Sequence, residues 1–457
     1  MTAQRVSAGV TGWVWRPEAS EGVGIVELQA PHGGRFWVDL LNPGTVVAFQ
    51  AMTGRALDGL GNVFGPGWQA RIESSEPSIE TDDHWRPPTL SEGWRRLAVV
   101  ESVRQWLPNP VDELLLLIDE ALAWDEVGEH GQAAITIAQV SHLVVDLQHA
   151  AVEGRLPVLA ADIVQSAAQL VDRSLTDGHP DRVALAGIET VLAQPVTERD
   201  FDTIDSWLSE KVNDNYFALH LGDNTEHDPA ILDQPVDLLA VNARIVAWNG
   251  PHDPEIKAIA NHVTGEVTVS LDLAADVEPD DWEATQLITY LCESDTGALL
   301  AHASLECPDG IETRTLQATL SLGGIDPSTV TVGVYQADLA PEIRTSPMGR
   351  ALSKIDRLLI ASWASARLAY AGRSTRALAE ANRLSDETVT STNDVIDAAA
   401  RQAPTAAEST QSRRTTSRVR GFSAYTNELD VTNADRDLAL RPLLAETLRG
   451  ALSHWEE

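Results

Sequence analysis

The chain has 457 residues, with 33 Lys+Arg against 68 Asp+Glu and a formal net charge of −35 at pH 7. Hydrophobic residues make up 43% and charged residues 22%; this excludes a fully disordered chain, a collagen-like repeat and a disulfide-dense miniprotein. So acidic a surface repels phosphate and disfavours direct nucleic-acid binding by the body of the protein.

The charge is segregated. Residues 101–230 hold 6 basic and 24 acidic residues and residues 231–345 hold 4 and 19, whereas residues 346–457 hold 15 and 14. A strongly negative body is thus followed by a near-neutral tail containing arginines. The plain consequence is a well-solvated surface. The sharper one is that the tail, or a basic partner, docks against the body; the plain reading is preferred. The N-terminus lacks an apolar signal core, and the densest apolar run, 114–118, is far short of the roughly 20 residues that span a bilayer. A cytoplasmic protein without membrane contact is expected.

In chain order, residues 1–92 read as a β-rich small barrel or sandwich. Apolar-rich runs at 10–15, 24–29 and 35–40 are separated by turn residues. Gly59, Gly61, Gly65 and Gly67 mark a glycine-rich loop. Its spacing is one residue longer than the dinucleotide fingerprint, and no firm helix follows, so a structural turn is expected. Residues 93–228 read as a helical bundle. Pro110 and Asp112 signal a helix start. Across 133–151, Ile137, Val140, Val144 and Leu147 recur at helical steps. Further helices are expected at 158–171, 182–193 and 198–211.

Residues 229–345 read as an antiparallel β-sandwich, with strands near 240–248, 266–273, 285–292, 298–305, 313–322 and 329–335 and a hairpin turn at 294–297. Residues 346–384 form a long amphipathic helix or a helix pair, with Leu352, Ile355, Leu359, Trp363 and Ala366 on one stripe. The Ser/Thr-rich segment 385–424 reads as a flexible linker. Residues 425–457 form a C-terminal helix over 435–455, kinked or restarted at Pro442. The fold class expected is α+β multidomain: N-terminal β-rich domain, central helical bundle, antiparallel β-sandwich, C-terminal helices.

Catalytic signatures are sparse. There is no Gly-x-Ser-x-Gly elbow, Walker A loop, HExxH or paired CxxC. The best metal candidates are His220, His227 and Asp228, imidazoles and a carboxylate of one loop that could activate water in a hydrolase. Solvated loop residues are the preferred reading there. His142, Asp146 and His149 share a helix face opposite the apolar stripe and read as solvated. Glu113, Asp119, Glu120, Asp125, Glu126 and Glu129 supply carboxylates, but no second element sets their pKa values apart. A turn centred at 294–297 does not place Cys292 opposite Cys307, so a disulfide is disfavoured and buried thiols are expected.

Interaction residues are sought in Trp13, Trp15 and Trp37, and in Arg413, Arg414, Arg418 and Arg420. No cofactor is assigned. The function expected is that of a non-catalytic interaction or scaffold subunit of a cytoplasmic multiprotein assembly. Its partners would be other proteins, basic ones or a second copy of the chain. The alternatives are the metal-dependent hydrolase and an acidic protein that competes for a nucleic-acid-binding surface.

Overall fold

The computed structural model describes residues 4–5, 13–15, 22–39, 41, 45–65, 67–69, 90–107, 111–191, 230–248, 250, 252–261, 263–275, 277–308, 314–339, 343–372, 375–401, 406–428 and 441–453. Its architecture is mixed α+β, with antiparallel sheets. No helix among the described residues is long and apolar enough to cross a membrane.

Period-2 alternation builds the first sheet. In β3 (Ile25–Ala30), Val26, Leu28 and Ala30 are buried while Glu27 and Gln29 are exposed, so one face meets the core. Strands β1 (Gln4–Arg5), β2 (Trp13–Trp15), β4 (Gly34–Asp39) and β5 (Thr45–Ala51) complete an antiparallel sheet in the order β1-β2-β5-β4-β3. The β3–β4 turn runs through His32 at φ 64° and Gly33 at φ 86°.

Helix α1 (Gly54–Phe64) follows, its first turn capped by Thr53, whose hydroxyl accepts from the Ala56 amide at 3.1 Å. The glycine-rich stretch is therefore helical through Phe64 and not the loop expected. The reason is close packing: a Cβ on Gly59 would lie 1.8 Å from the Pro31 carbonyl oxygen. Gly59→Ala is expected to cost about 1–3 kcal/mol, read as a lowered urea midpoint; an unchanged midpoint would show that the turn at Pro31 yields freely.

Helices α2 (Glu92–Trp106), α3 (Glu113–Glu126), α4 (His130–Gln139), α5 (Ser141–Val152), α6 (Val158–Ser174) and α7 (Pro180–Val191) follow. Asp112 caps α3, accepting from the Leu114 and Leu115 amides. The stripe expected to be one helix over 133–151 is broken at Val140, which leaves helical geometry at φ −123°, ψ 12°. Next to the break, the Ser141 hydroxyl donates to Asp181 at 2.6 Å.

A second core lies between two antiparallel sheets, one ordered β10-β9-β12 and the other β11-β8-β7-β6. The strands are β6 (Ala230–Ile231), β7 (Ile256–Asn261), β8 (Glu266–Asp272), β9 (Leu287–Glu293), β10 (Leu299–Ser304), β11 (Thr315–Ser321) and β12 (Val330–Gln336). Val267, Val269 and Leu271 of one sheet and Leu287, Leu291, Val332 and Val334 of the other are buried in it. The short helix α8 (Trp282–Thr285) precedes β9. Two expectations fail here. Residues 240–248 form turns with a single bridge from Val246 to Leu273, and β7 is a strand the alternation did not single out. Cys292 lies opposite Leu299 in the β9–β10 ladder. The two cysteines form no disulfide, and Cys307 is exposed where a buried thiol was expected.

The C-terminal part is helical: α9 (Pro347–Gly372), α10 (Thr375–Arg401), α11 (Ala406–Glu428) and α12 (Leu444–Ser453). The stripe Leu352, Ile355, Leu359, Trp363 and Ala366 is buried as expected. Residues 385–424 are no linker among the described residues; they belong to α10 and α11. Their hydroxyls turn back onto the helix itself: Thr388, Thr392 and Thr416 donate to the carbonyls of Leu384, Thr388 and Ser412. That frees Leu384, Val395, Val419 and Phe422 to be buried. Pro442 precedes α12 and does not kink it.

One apolar core runs from the first sheet through α1–α7 to α9, α10, α11 and α12. Buried arginines cross-link it. Arg96 donates to Asp119 at 2.6 Å and to the Pro442 carbonyl. Arg367 pairs with Glu446, Arg344 with Asp237 and Asp356, and Arg357 with Glu255. Arg418 reaches Asp39 at 3.1 Å. Arg357 and Arg418 belong to the tail, and Glu255 and Asp39 to earlier segments. Two tail arginines thus dock on upstream carboxylates, of which Glu255 lies in the acidic body and Asp39 ahead of it.

Candidate functional site

An aromatic ladder joins the first sheet to the helices. Phe36 of β4 meets Phe64 at 5.3 Å and Trp94 at 5.5 Å, edge to face, and Trp94 meets Trp124 at 5.6 Å. Such pairs are rigid. They fix α2 and α3 against the sheet, and beside β3 they leave a cleft of about 510 Å³.

Consecutive residues of β3, from Glu27 to Ala30, line this cleft. Since they include both core-facing and outward-facing positions, the cleft runs along the edge of the strand and not over one face. β3 is the last strand of its sheet. The Ile25 amide turns back to the Gly22 carbonyl at 3.2 Å. Alternation then directs the backbone groups of Val26, Leu28 and Ala30 toward β4, and those of Glu27 and Gln29 away from it. Among the described residues nothing hydrogen-bonds to the outward pair.

The floor is apolar, formed by Leu28, Ala30, Leu97 and Val100. Glu27, Glu101, Glu120 and Glu129 bring four carboxylates to the lining, where the one guanidinium is that of Arg104; Glu27 is also paired with Arg35, outside the lining, at 3.2 Å. Arg104 is already committed: it donates to Glu101 at 2.6 Å, Glu120 at 2.8 Å and Glu113 at 2.9 Å. Burial opposes its charge, but the coulombic pull of Glu113, Glu101 and Glu120 outweighs this and raises its pKa above the usual arginine value. The Trp124 indole donates to Glu120 at 3.1 Å. Such a lining can pair with an extended backbone and attract cations.

The residues expected to carry chemistry are placed as follows. His220, His227 and Asp228 lie outside the described residues. Among the described ones, no group of three or more His, Cys, Asp and Glu is arranged to hold a metal ion. His142, Asp146 and His149 are exposed, as expected of a solvated face. Trp13 is half-buried against the first core, and Trp37, also half-buried, pairs in register with Glu27 and Ala48. Only the backbone of Trp15 is described, opposite Phe49. Arg413 and Arg420 are exposed on α11, and the Arg414 side chain lies outside the described residues. Arg418 points inward to Asp39 and the Val23 carbonyl, so the arginine quartet is not one patch. Glu120 and Glu129, legible in the sequence only as members of a carboxylate-rich stretch, both line the cleft beside β3.

No family model, no curated protein and no solved structure matches this chain.

Proposed function

We propose that the protein is a non-catalytic interaction subunit that holds a partner polypeptide in the cleft beside β3, within a larger cytoplasmic assembly. The observation that carries this reading is the strand edge itself. Peptide groups left unpaired are costly wherever water is displaced, and edges are usually blunted or covered. Here the edge borders a cleft with an apolar floor, which suits capture of an extended chain. In this reading the β-rich head and helical bundle form the capturing unit, and the β-sandwich and C-terminal helices are its frame.

The buried ionisable groups agree with a structural role. Asp119, Asp356, Glu255 and Glu446 are each tied to an arginine, so they link segments of the chain and do not stand ready as acids or bases.

A photo-crosslinking residue at exposed Gln132, on the cleft wall, tests the reading in the native host. A recurrent polypeptide adduct is expected there and not with the crosslinker at exposed Gln165 on α6. Equal labelling at both positions, or none at Gln132, would overturn it.

A further inference from the structure

We infer that the occupant of the cleft is a basic, extended segment of another protein, added as a sixth strand beside β3. This rests on the interaction reading above and names its partner class. Three observations converge. The outward N–H and C=O groups of Glu27 and Gln29 are two residues apart, about 7 Å along the strand, so three consecutive residues of an incoming strand reach both. The floor of Leu28, Leu97 and Val100 accepts aliphatic stems. Beyond it stand Glu101, Glu120 and Glu129, with Glu27 on the other face of the strand.

Arginine and lysine match that sequence of surfaces, an apolar stem ending in a cation. Alternate positions of an added strand face opposite sides, so arginines at every second position meet Glu101, Glu120 and Glu129 on the helix side, while Glu27 on the other side already pairs with Arg35 at 3.2 Å. Arg104 does not satisfy the cleft, because its guanidinium is shared among Glu101, Glu113 and Glu120. A second copy of this chain is the weaker occupant: pairing β3 with β3 would bring two such acidic linings together.

The test uses the full chain and a fluorescein-labelled nine-residue peptide alternating arginine with valine, followed by anisotropy. Binding is expected to weaken steeply between about 50 and 300 mM salt. The same peptide with glutamate for arginine should not bind. Gln29→Pro removes one outward amide and leaves the β4 ladder intact, since proline is tolerated on edge strands with that side free. It should weaken binding roughly tenfold, about 1.4 kcal/mol.

Two measurements stand even if that variant misfolds. N-methylating alternate peptide amides in one register should abolish binding and in the other spare it. Glu129→Gln should lower affinity several-fold and flatten the salt dependence. Equal binding of the glutamate peptide, indifference to N-methylation, or a concentration-dependent dimer abolished by Gln29→Pro would overturn the proposal. If the peptide fails while adducts at Gln132 persist, the partner class is wrong and the interaction reading stands; if both fail, both fall.

Discussion

Replacing Arg357 by methionine is expected to remove about 3–5 kcal/mol of stability, the usual cost of orphaning one partner of a buried ion pair. Arg357 is 1% exposed. Its guanidinium lies 4.0 Å from the centre of the Trp248 ring and donates to both oxygens of Glu255, to the Gly250 carbonyl and to the Asp253 carbonyl. Glu255 immediately precedes β7, the strand that anchors the second core. Loss of the arginine leaves a buried carboxylate, 2% exposed, with the Val236 amide as its one other donor among the described residues.

The cost should come mostly from that stranded charge and not from lost attraction. Arg357→Met combined with Glu255→Gln should therefore be more stable than Arg357→Met alone, because glutamine still accepts from Val236 and carries no charge. Urea midpoints across the four proteins of the cycle give the coupling. Hydrogen exchange should quicken first in β7. A loss below about 1 kcal/mol in the single variant would mean that water reaches Glu255 and the joint between the cores is held by other contacts.

These clamps explain why part of the molecule is legible in its sequence and part is not. Strand alternation at 24–29 and 35–40, the turn between them and the Asp112 cap are local signals, carried by neighbouring residues. So is the tail stripe from Leu352 to Ala366. The arginine pairs are a different case: 102 residues separate Arg357 from Glu255 and 379 separate Arg418 from Asp39. An arginine on a helix looks the same whether it faces water or a carboxylate from a remote segment. The one trace was the charge imbalance between body and tail. Residues 385–424 misled for a related reason. Serine and threonine normally mark loops because they compete with the backbone, but Thr388 and Thr392 satisfy themselves within α10 and are buried. For the cleft, the strand and its acids were readable singly. That β3 ends its sheet among the described residues, and that α2 and α3 pass beside its outer edge, follows from topology alone.

Glu446→Ala should cost a similar 3–5 kcal/mol, and its effect should depend on Asp119. Glu446 is fully buried, accepts from Arg367 at 2.6 Å and caps its own helix through the Leu443 amide at 2.7 Å. At the next amide, Asp119 from α3 accepts from Leu444 at 2.7 Å and from Arg96 at 2.6 Å. Arg96 and Arg367 also share the Arg441 carbonyl. The entry to α12 is thus held by one four-residue network, and the buried Leu443, Leu444 and Leu448 depend on it. Glu446→Ala and Asp119→Asn should together cost about 1–3 kcal/mol less than their separate losses summed. Arg367 lies ten residues beyond Arg357, about 15 Å along α9, so the two clamps should be additive with each other. The pH dependence gives an independent reading. Burial raises the Asp119 carboxyl above its ordinary value of 3.8, against the pull of Arg96 and of the Leu444 amide. The native state then binds that proton more tightly than the unfolded chain, so this group's contribution is complete below 3.8 and is lost as pH rises through the raised value. Asp119→Asn cannot titrate, so its deficit relative to the parent should shrink with rising pH. A deficit that widens instead would show that the ionised pair with Arg96 is the form that holds α12 in place.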